Sequence, residues 1–374
     1  MDFHAVEKSF EEAVTEGVFP GAVVLVAKND EIVYEHAFGS RSLLPNKTPM
    51  RVDTIFDLAS LTKPLATSVA IMLLVRERKL RLDDQLTRVI PMYGVFGKSV
   101  TTFRHLLNHS AGLPAWKPFF EEIIKNEKSG RVNFIASRAA KNYVYEQIHR
   151  EKPAAAPGAQ SVYSDLGFIL LAEAVEILTG NNFDRFCQDR IFRPLGLRST
   201  GFVDLTQLRT KRLQPVEEAI APTEACPWRK KILCGEVHDD NAYAMGGVAG
   251  HAGLFSSARE VHVFLLRLSR CLSGKDSFFS QELVKEFLTR NGPTDSNFAL
   301  GWDTPTPGKS ASGNLFSPRS VGHLGFTGCS IWWDLEKNCH VVLLTNRVHP
   351  SRKNDKIKDF RPHIHDQIMK ALFP

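Results

Sequence analysis

The chain has 374 residues, 43% of them hydrophobic and 24% charged, with a formal net charge of +6. That length can bury a large core in two or three lobes, and the composition excludes a disordered, collagen-like or low-complexity protein. The basic residues near the end (Arg347, Arg352, Lys353, Lys356, Lys358, Arg361) are interleaved with acids and accompanied by no nucleic-acid motif, so they read as a solvated surface.

In chain order, Phe3 to Gly17 carries Phe3, Val6, Phe10, Ala13 and Val14 on one stripe, which predicts an amphipathic helix. Gly21 to Tyr34 predicts two strands joined by a turn at Asn29-Asp30. The apolar run Ile55 to Ala59 then leads through Ser60-Leu61-Thr62-Lys63 into Pro64 to Leu74, predicted as a buried helix with Pro64 in its first turn. Residues three apart share a helix face, so the Lys63 amine can reach the Ser60 hydroxyl. Serine is a poor nucleophile until a base takes its proton, and a desolvated lysine can be that base. A helix N-terminus at Ser60 also supplies free N–H groups to a developing negative charge. The plainer alternative is an N-cap serine beside a solvated lysine.

Residues 116–160 and 203–245 are rich in charges and turn residues and are expected to be loops that shape a substrate pocket. Between them, Tyr163-Ser164-Asp165 precedes a second apolar helix, Leu166 to Val175. His238-Asp239-Asp240-Asn241 has the chemistry of a metal or substrate patch but no second ligand cluster, so no metal is expected. His251 lies among small residues, Gly246 to Gly253, and is a candidate to face the pocket. Val321 to Gly328 is Gly-rich and strand-like. Ser330 to Leu335 and His340 to Thr345 form a further strand pair, with Trp332 and Trp333 on opposite faces. A helix from about Asp355 to Leu372 closes the chain, with His363 and His365 expected on its surface.

Strands at both ends and a helical middle imply an α+β fold, an α/β sandwich. Its antiparallel sheet is built from both chain ends and flanked by the terminal helices, beside a mainly helical lobe. The division follows as 1–64 with 291–374 for the sheet domain, and 65–290 for the lobe. Six cysteines show neither a CxxC nor a Cys/His ligand spacing, so a disulfide framework or zinc site is not expected. Met1 to Lys8 has no basic stretch leading into an apolar core, and no apolar run is expected to reach the ~18 residues of a membrane span. As written the chain reads as reduced and cytoplasmic; a signal peptide trimmed beforehand would place it outside the cytoplasm.

Ser60-x-x-Lys63, Tyr163-x-Asp165 and His323-x-Gly325 stand in an order that resembles the serine β-lactamase and penicillin-binding-protein superfamily, above all its class C branch. Leu82-Asp83-Asp84, Thr102 to Pro114 and Gly253 to Ala258 extend the resemblance, which runs from about residue 15 to the C-terminus. It implies a β-lactamase/transpeptidase-like fold and a cofactor-free serine hydrolase working through an acyl-enzyme. Within it, Ser60 matches the nucleophile, and Lys63 its base or the charge that depresses a neighbouring pKa. Tyr163 matches a base or proton shuttle; tyrosine titrates near pH ~10, so it needs adjacent cations. The backbone N–H of Phe326, with that of Ser60, matches the oxyanion hole, and Gly325 would leave the strand edge open to substrate.

Two positions depart from that pattern. Asp165 stands where class C enzymes have asparagine, and an ionised carboxylate only accepts hydrogen bonds. His323 stands where they have lysine, so the substrate-binding charge is expected to change between about pH 5 and 8. The resemblance therefore implies an esterase or a D-amino-acid-directed peptidase or amidase. Its alternatives are a D-Ala carboxypeptidase, a weak β-lactamase, or a penicillin-binding sensor without turnover. The expected partner is a small ester, peptide or β-lactam substrate; the oligomeric state is not legible.

Overall fold

The computed structural model describes residues 1–130, 133–294 and 296–374; Arg131 and Val132, within the expected 116–160 loop, and Asp295 lie outside the described residues. Helix α1 (His4–Thr15) buries Val6, Phe10 and Ala13, the predicted stripe. Strands β1 (Gly21–Lys28) and β2 (Glu31–Ser42) follow. Their turn places Asn29 and Asp30 at φ 53° and 69°, a left-handed pair that these residue types tolerate and hairpins favour.

β3 (Thr48–Pro49) completes the N-terminal half of the sheet, and β4 (Val321–Leu324), β5 (Ser330–Asp334) and β6 (Cys339–Thr345) supply the other half. The strand order is β3-β2-β1-β6-β5-β4, and every neighbouring pair is antiparallel. β1 and β6 join the two chain ends in register from Ala22 opposite Thr345 to Lys28 opposite Cys339. Side chains alternate along these strands, so the sheet serves two cores. Ala22, Val24, Val26, Trp332, Val341 and Leu343 pack under α1 and the C-terminal helix. Val23, Leu25, Ile331, Trp333, Val342 and Leu344 face the helical lobe. The adjacent tryptophans thus point to opposite sides, both buried in packing.

The segment after Ser60 is not the plain helix expected. A 3-10 turn, Ala59–Leu61, passes into a widened π turn, Lys63–Ser68, before α2 (Val69–Arg76) begins. Pro64 has no N–H to give to an ordinary helical ladder, and the wide turn accommodates it. Residues 59–76, with mean hydropathy 1.2, are long and apolar enough to cross a membrane by length and composition, contrary to the expectation. Yet 83% of that stretch is buried in the fold, as befits a central core helix.

The expected 116–160 loop contains two helices, α3 (Phe119–Lys128) and α4 (Arg138–His149). Phe119 with Ile123, and Ala140 with Val144 and Ile148, supply the helical spacing beneath a charged exterior. Ser137 caps α4 by accepting from the Ala140 N–H. α5 (Asp165–Thr179) is buried from Leu166 to Glu176 and stops at Gly180, whose φ of 68° ends the helix. Residues 203–245 hold only short pieces, the longest being Leu205–Arg209 and Asp240–Ala244. α6 (Ala258–Leu272), α7 (Gln281–Leu288) and α8 (Ile357–Leu372) complete the long helices.

Two expectations for the C-terminal region are corrected. His365 is buried, its Nδ1 2.8 Å from the Ala311 carbonyl, and only His363 is exposed. Arg347 and Arg361 are buried rather than solvated, and Arg352 is tied to Glu224 and Asp240. A guanidinium offers several donors to backbone carbonyls, so composition alone does not keep it at the surface.

Candidate active site

Ser60 follows Ala59, which adopts φ 47° without being glycine. A left-handed alanine costs backbone energy and needs support from its surroundings. Asp57 supplies it: one carboxylate oxygen accepts from the Ala59 N–H at 2.8 Å and the other from the His238 N–H at 2.7 Å. The Asp57 carbonyl also accepts from the Thr327 hydroxyl at 2.8 Å, which ties the serine turn to the loop after β4. Burial pushes the Asp57 carboxyl up in pKa, against the two amide hydrogen bonds. Sequence reasoning missed Asp57. Its only signal was an acid inside an apolar run, three residues before the serine.

Lys63 is 0% exposed. Its Nζ lies 3.0 Å from Ser60 Oγ, 2.7 Å from Asp165 Oδ1 and 3.2 Å from the His251 carbonyl. Three acceptors match the three donors of an ammonium. Burial depresses the Lys63 pKa, but the Asp165 carboxylate and the Tyr163 phenol together outweigh it, and the net direction is up. The Tyr163 ring centre is 4.8 Å from Lys63 Nζ. Burial raises the phenol as well, against Lys63 and the hydrogen bonds to Lys63 and Ser60. The arrangement therefore holds a charged lysine and a neutral tyrosine around the serine hydroxyl.

The second motif is fixed by the segment before it. Ser164 donates from its backbone N–H to His109 Nδ1 at 3.1 Å and from its hydroxyl to the Pro114 carbonyl at 2.6 Å. The His109 ring lies 4.7 Å from that of Tyr163. Asp165 opens α5, where free N–H groups favour a carboxylate.

His323 lines the same cavity and holds its Nδ1 2.9 Å from the Leu324 carbonyl, which fixes the proton on that nitrogen. Burial, then the Lys63 charge, lower its pKa to about 3. The expected change of charge between pH 5 and 8 is thereby corrected: His323 is neutral throughout. His323→Gln should leave the shape of the pH–rate profile between pH 5 and 8 unchanged; a limb lost there would show that His323 titrates.

Gly325 has a different reason from the one expected. A Cβ there would meet the Leu58 carbonyl oxygen at 2.6 Å, so the glycine allows the loop to pack on the backbone leading to Ser60. Gly325→Ala should lower stability by about 1–3 kcal/mol, as overpacking does, read as a lower melting temperature together with lost activity. Phe326 is 53% exposed at the cavity, its ring 5.7 Å from His238 and its carbonyl accepting from Arg347 Nε at 2.8 Å. His251 is absent from the cavity wall. Its ring is buried with Nε2 3.0 Å from Asp239, and only its carbonyl reaches the site.

A cavity of about 960 Å³ opens over Ser60, Tyr163, Asp165 and His323, with Trp116, Phe298 and Phe326 on its apolar side. His238, Asp239 and Asp240 reach its wall, but each is committed to protein: to Glu224, to His251, and to Arg229 with Arg352. Among the described residues no group of three His, Cys, Asp or Glu side chains is placed to hold a metal ion.

A family model described as Beta-lactamase matches residues 6–363. A protein of Escherichia coli K12, named "Putative D-alanyl-D-alanine carboxypeptidase", is 33% identical over 361 residues, covering 88% of this chain and 79% of that protein. Among solved structures, the octameric penicillin-binding protein homologue from Pyrococcus abyssi has a TM-score of 0.72 at 22% identity, covering 100% of this chain and 77% of its own. EstCE1, described as a hydrolase with promiscuous acyltransferase activity, has a TM-score of 0.68 at 22% identity, covering 96% of this chain and 97% of its own. At these identities the two structures speak to the fold, the same antiparallel sheet with its helical lobe.

Proposed function

Because the chain belongs to the beta-lactamase family, we propose that it is a serine hydrolase in which an ester or amide substrate acylates Ser60 and water then releases the acyl group. The observation that carries the reading is Lys63 Nζ at 3.0 Å from Ser60 Oγ at the floor of the cavity.

Ser60 Oγ attacks the substrate carbonyl, and its proton passes into the Lys63–Tyr163 unit, which shares protons as one coupled system. That unit must first surrender a proton, because Lys63 starts as an ammonium. The carbonyl oxygen becomes negative and is held by the backbone N–H groups of Ser60 and Phe326, both of which line the cavity. Collapse of the tetrahedral adduct expels the alcohol or amine, which takes the proton back. Water repeats the sequence on the acyl-enzyme and regenerates Ser60.

For the substrate, the name carried by the Escherichia coli relative favours a D-alanyl peptide or a similar D-amino-acid amide. A second reading, an esterase, is supported by the neutral His323, which offers no fixed charge to a carboxylate, and by the aromatic wall. A panel of short-chain nitrophenyl esters, D-Ala-D-Ala peptides and a chromogenic cephalosporin tests the reading. Multiple turnovers on an ester or peptide support it. A single stoichiometric burst on every substrate overturns it in favour of a sensor.

A further inference from the structure

Arg361, on α8, is 6% exposed. Its Nη2 donates to two carbonyls, Gly325 O at 3.0 Å and Cys329 O at 2.9 Å. Those carbonyls close the neck of the turn that follows β4: the Gly325 N–H donates to Cys329 O at 2.7 Å, and the Gly328 N–H to Gly325 O at 3.0 Å. Among the described residues no carboxylate forms an ion pair with Arg361; its titratable neighbours are the Cys329 thiol, which burial keeps protonated, and the Arg347 guanidinium. A buried cation with no counter-ion is expensive, and an apolar side chain could pack α8 against the sheet without that cost.

The Gly325 carbonyl and the Phe326 N–H are the two ends of one peptide group. A charged donor on the oxygen fixes the plane of that peptide and polarises it, which strengthens the N–H as a donor at the other end. We propose that Arg361 is a positioning residue of the oxyanion hole, holding and polarising the peptide whose N–H, that of Phe326, receives the charge formed on the substrate. The role rests on the acyl-serine reading above. Arg347 supplies an internal contrast. Its Nε donates to Phe326 O at 2.8 Å, on the following peptide, whose N–H belongs to Thr327.

The experiment compares the full-length wild type with Arg361→Met, Arg361→Lys and Arg347→Met. Each is normalised to the fraction labelled at saturation by an active-serine phosphonate. The readouts are kcat and KM on a nitrophenyl ester, and the affinity of a boronic acid, which forms a tetrahedral oxyanion mimic on serine. Arg361→Met should lower kcat by about 10–100-fold, less than loss of a direct oxyanion donor, with KM nearly unchanged. Boronate affinity should fall in parallel, and Arg361→Lys should recover part of both. Arg347→Met should change kcat and boronate affinity much less.

A lower melting temperature with unchanged kcat and boronate affinity in Arg361→Met overturns the proposal and leaves a structural staple. If Arg361→Met does not fold, Arg361→Lys decides by the same two readouts. Equal losses in the Arg347 and Arg361 variants also overturn it. Turnover retained by Ser60→Ala would overturn the acyl-serine reading itself, an outcome separate from any result on Arg361.

Discussion

Ser60→Ala is expected to lose turnover by at least about four orders of magnitude, the scale on which a nucleophile's removal acts. The alanine removes the hydroxyl that Lys63 contacts at the cavity, and leaves the remaining hydrogen bonds of Lys63 to Asp165 and His251 in place. Stability should change by only about 0.5–1.5 kcal/mol, one hydrogen bond's worth, so the melting curve separates lost chemistry from lost fold. A phosphonate probe should mark the wild type once and the variant not at all. Labelling of the folded alanine variant at the wild-type level would sink the assignment of Ser60.

Asp165→Asn is expected to move the acid limb of the pH–rate profile to lower pH. Burial pulls the Lys63 pKa down, and Asp165, followed by Tyr163, reverses that direction. Asp165 also raises the Tyr163 phenol. A neutral amide in its place removes the largest upward contribution to Lys63 while burial remains, so the lysine–tyrosine unit releases its proton at lower pH. The wild-type rate should therefore climb further into the alkaline range than that of the variant, and the activity ratio of variant to wild type should be larger at pH 6 than at pH 9. An acid limb that stays in place would show that neither Lys63 nor Tyr163 is the titrating group. The linked stability has its own sign. A lysine whose folded pKa lies above its unfolded value contributes stability below the unfolded pKa, near ~10.5, and loses it as pH rises through the folded value. The stability advantage of the wild type over Asp165→Asn should thus shrink as pH rises above the unfolded value.

Much of this was legible in the chain because it is local. Ser60 and Lys63 are three residues apart, and the short apolar runs at 21–28 and 339–345 mark strands of the sheet before any partner is known. What escaped is contact between segments distant in sequence. Asp57 reaches His238 and Thr327, Arg361 reaches Gly325, and the His251 carbonyl reaches Lys63. A buried arginine on carbonyls and a solvated one have the same letter, so Arg347 and Arg361 looked like surface. α3 and α4 were hidden because their exposed faces are charged and their apolar stripes narrow. Gly325 was read as open ground for substrate when its neighbour is the Leu58 backbone. The histidine at 323 was given its solution pKa, which burial removes.

The proposed cycle passes through a covalent bond between substrate and Ser60. It is tested most directly by quenching the wild type in acid within its first turnovers of an activated ester or a β-lactam, and mapping the adduct by mass spectrometry. The expected result is an added mass equal to the acyl fragment, located on the peptide that carries Ser60, decaying as product is released. An acyl group recovered on a peptide without Ser60 would contradict it.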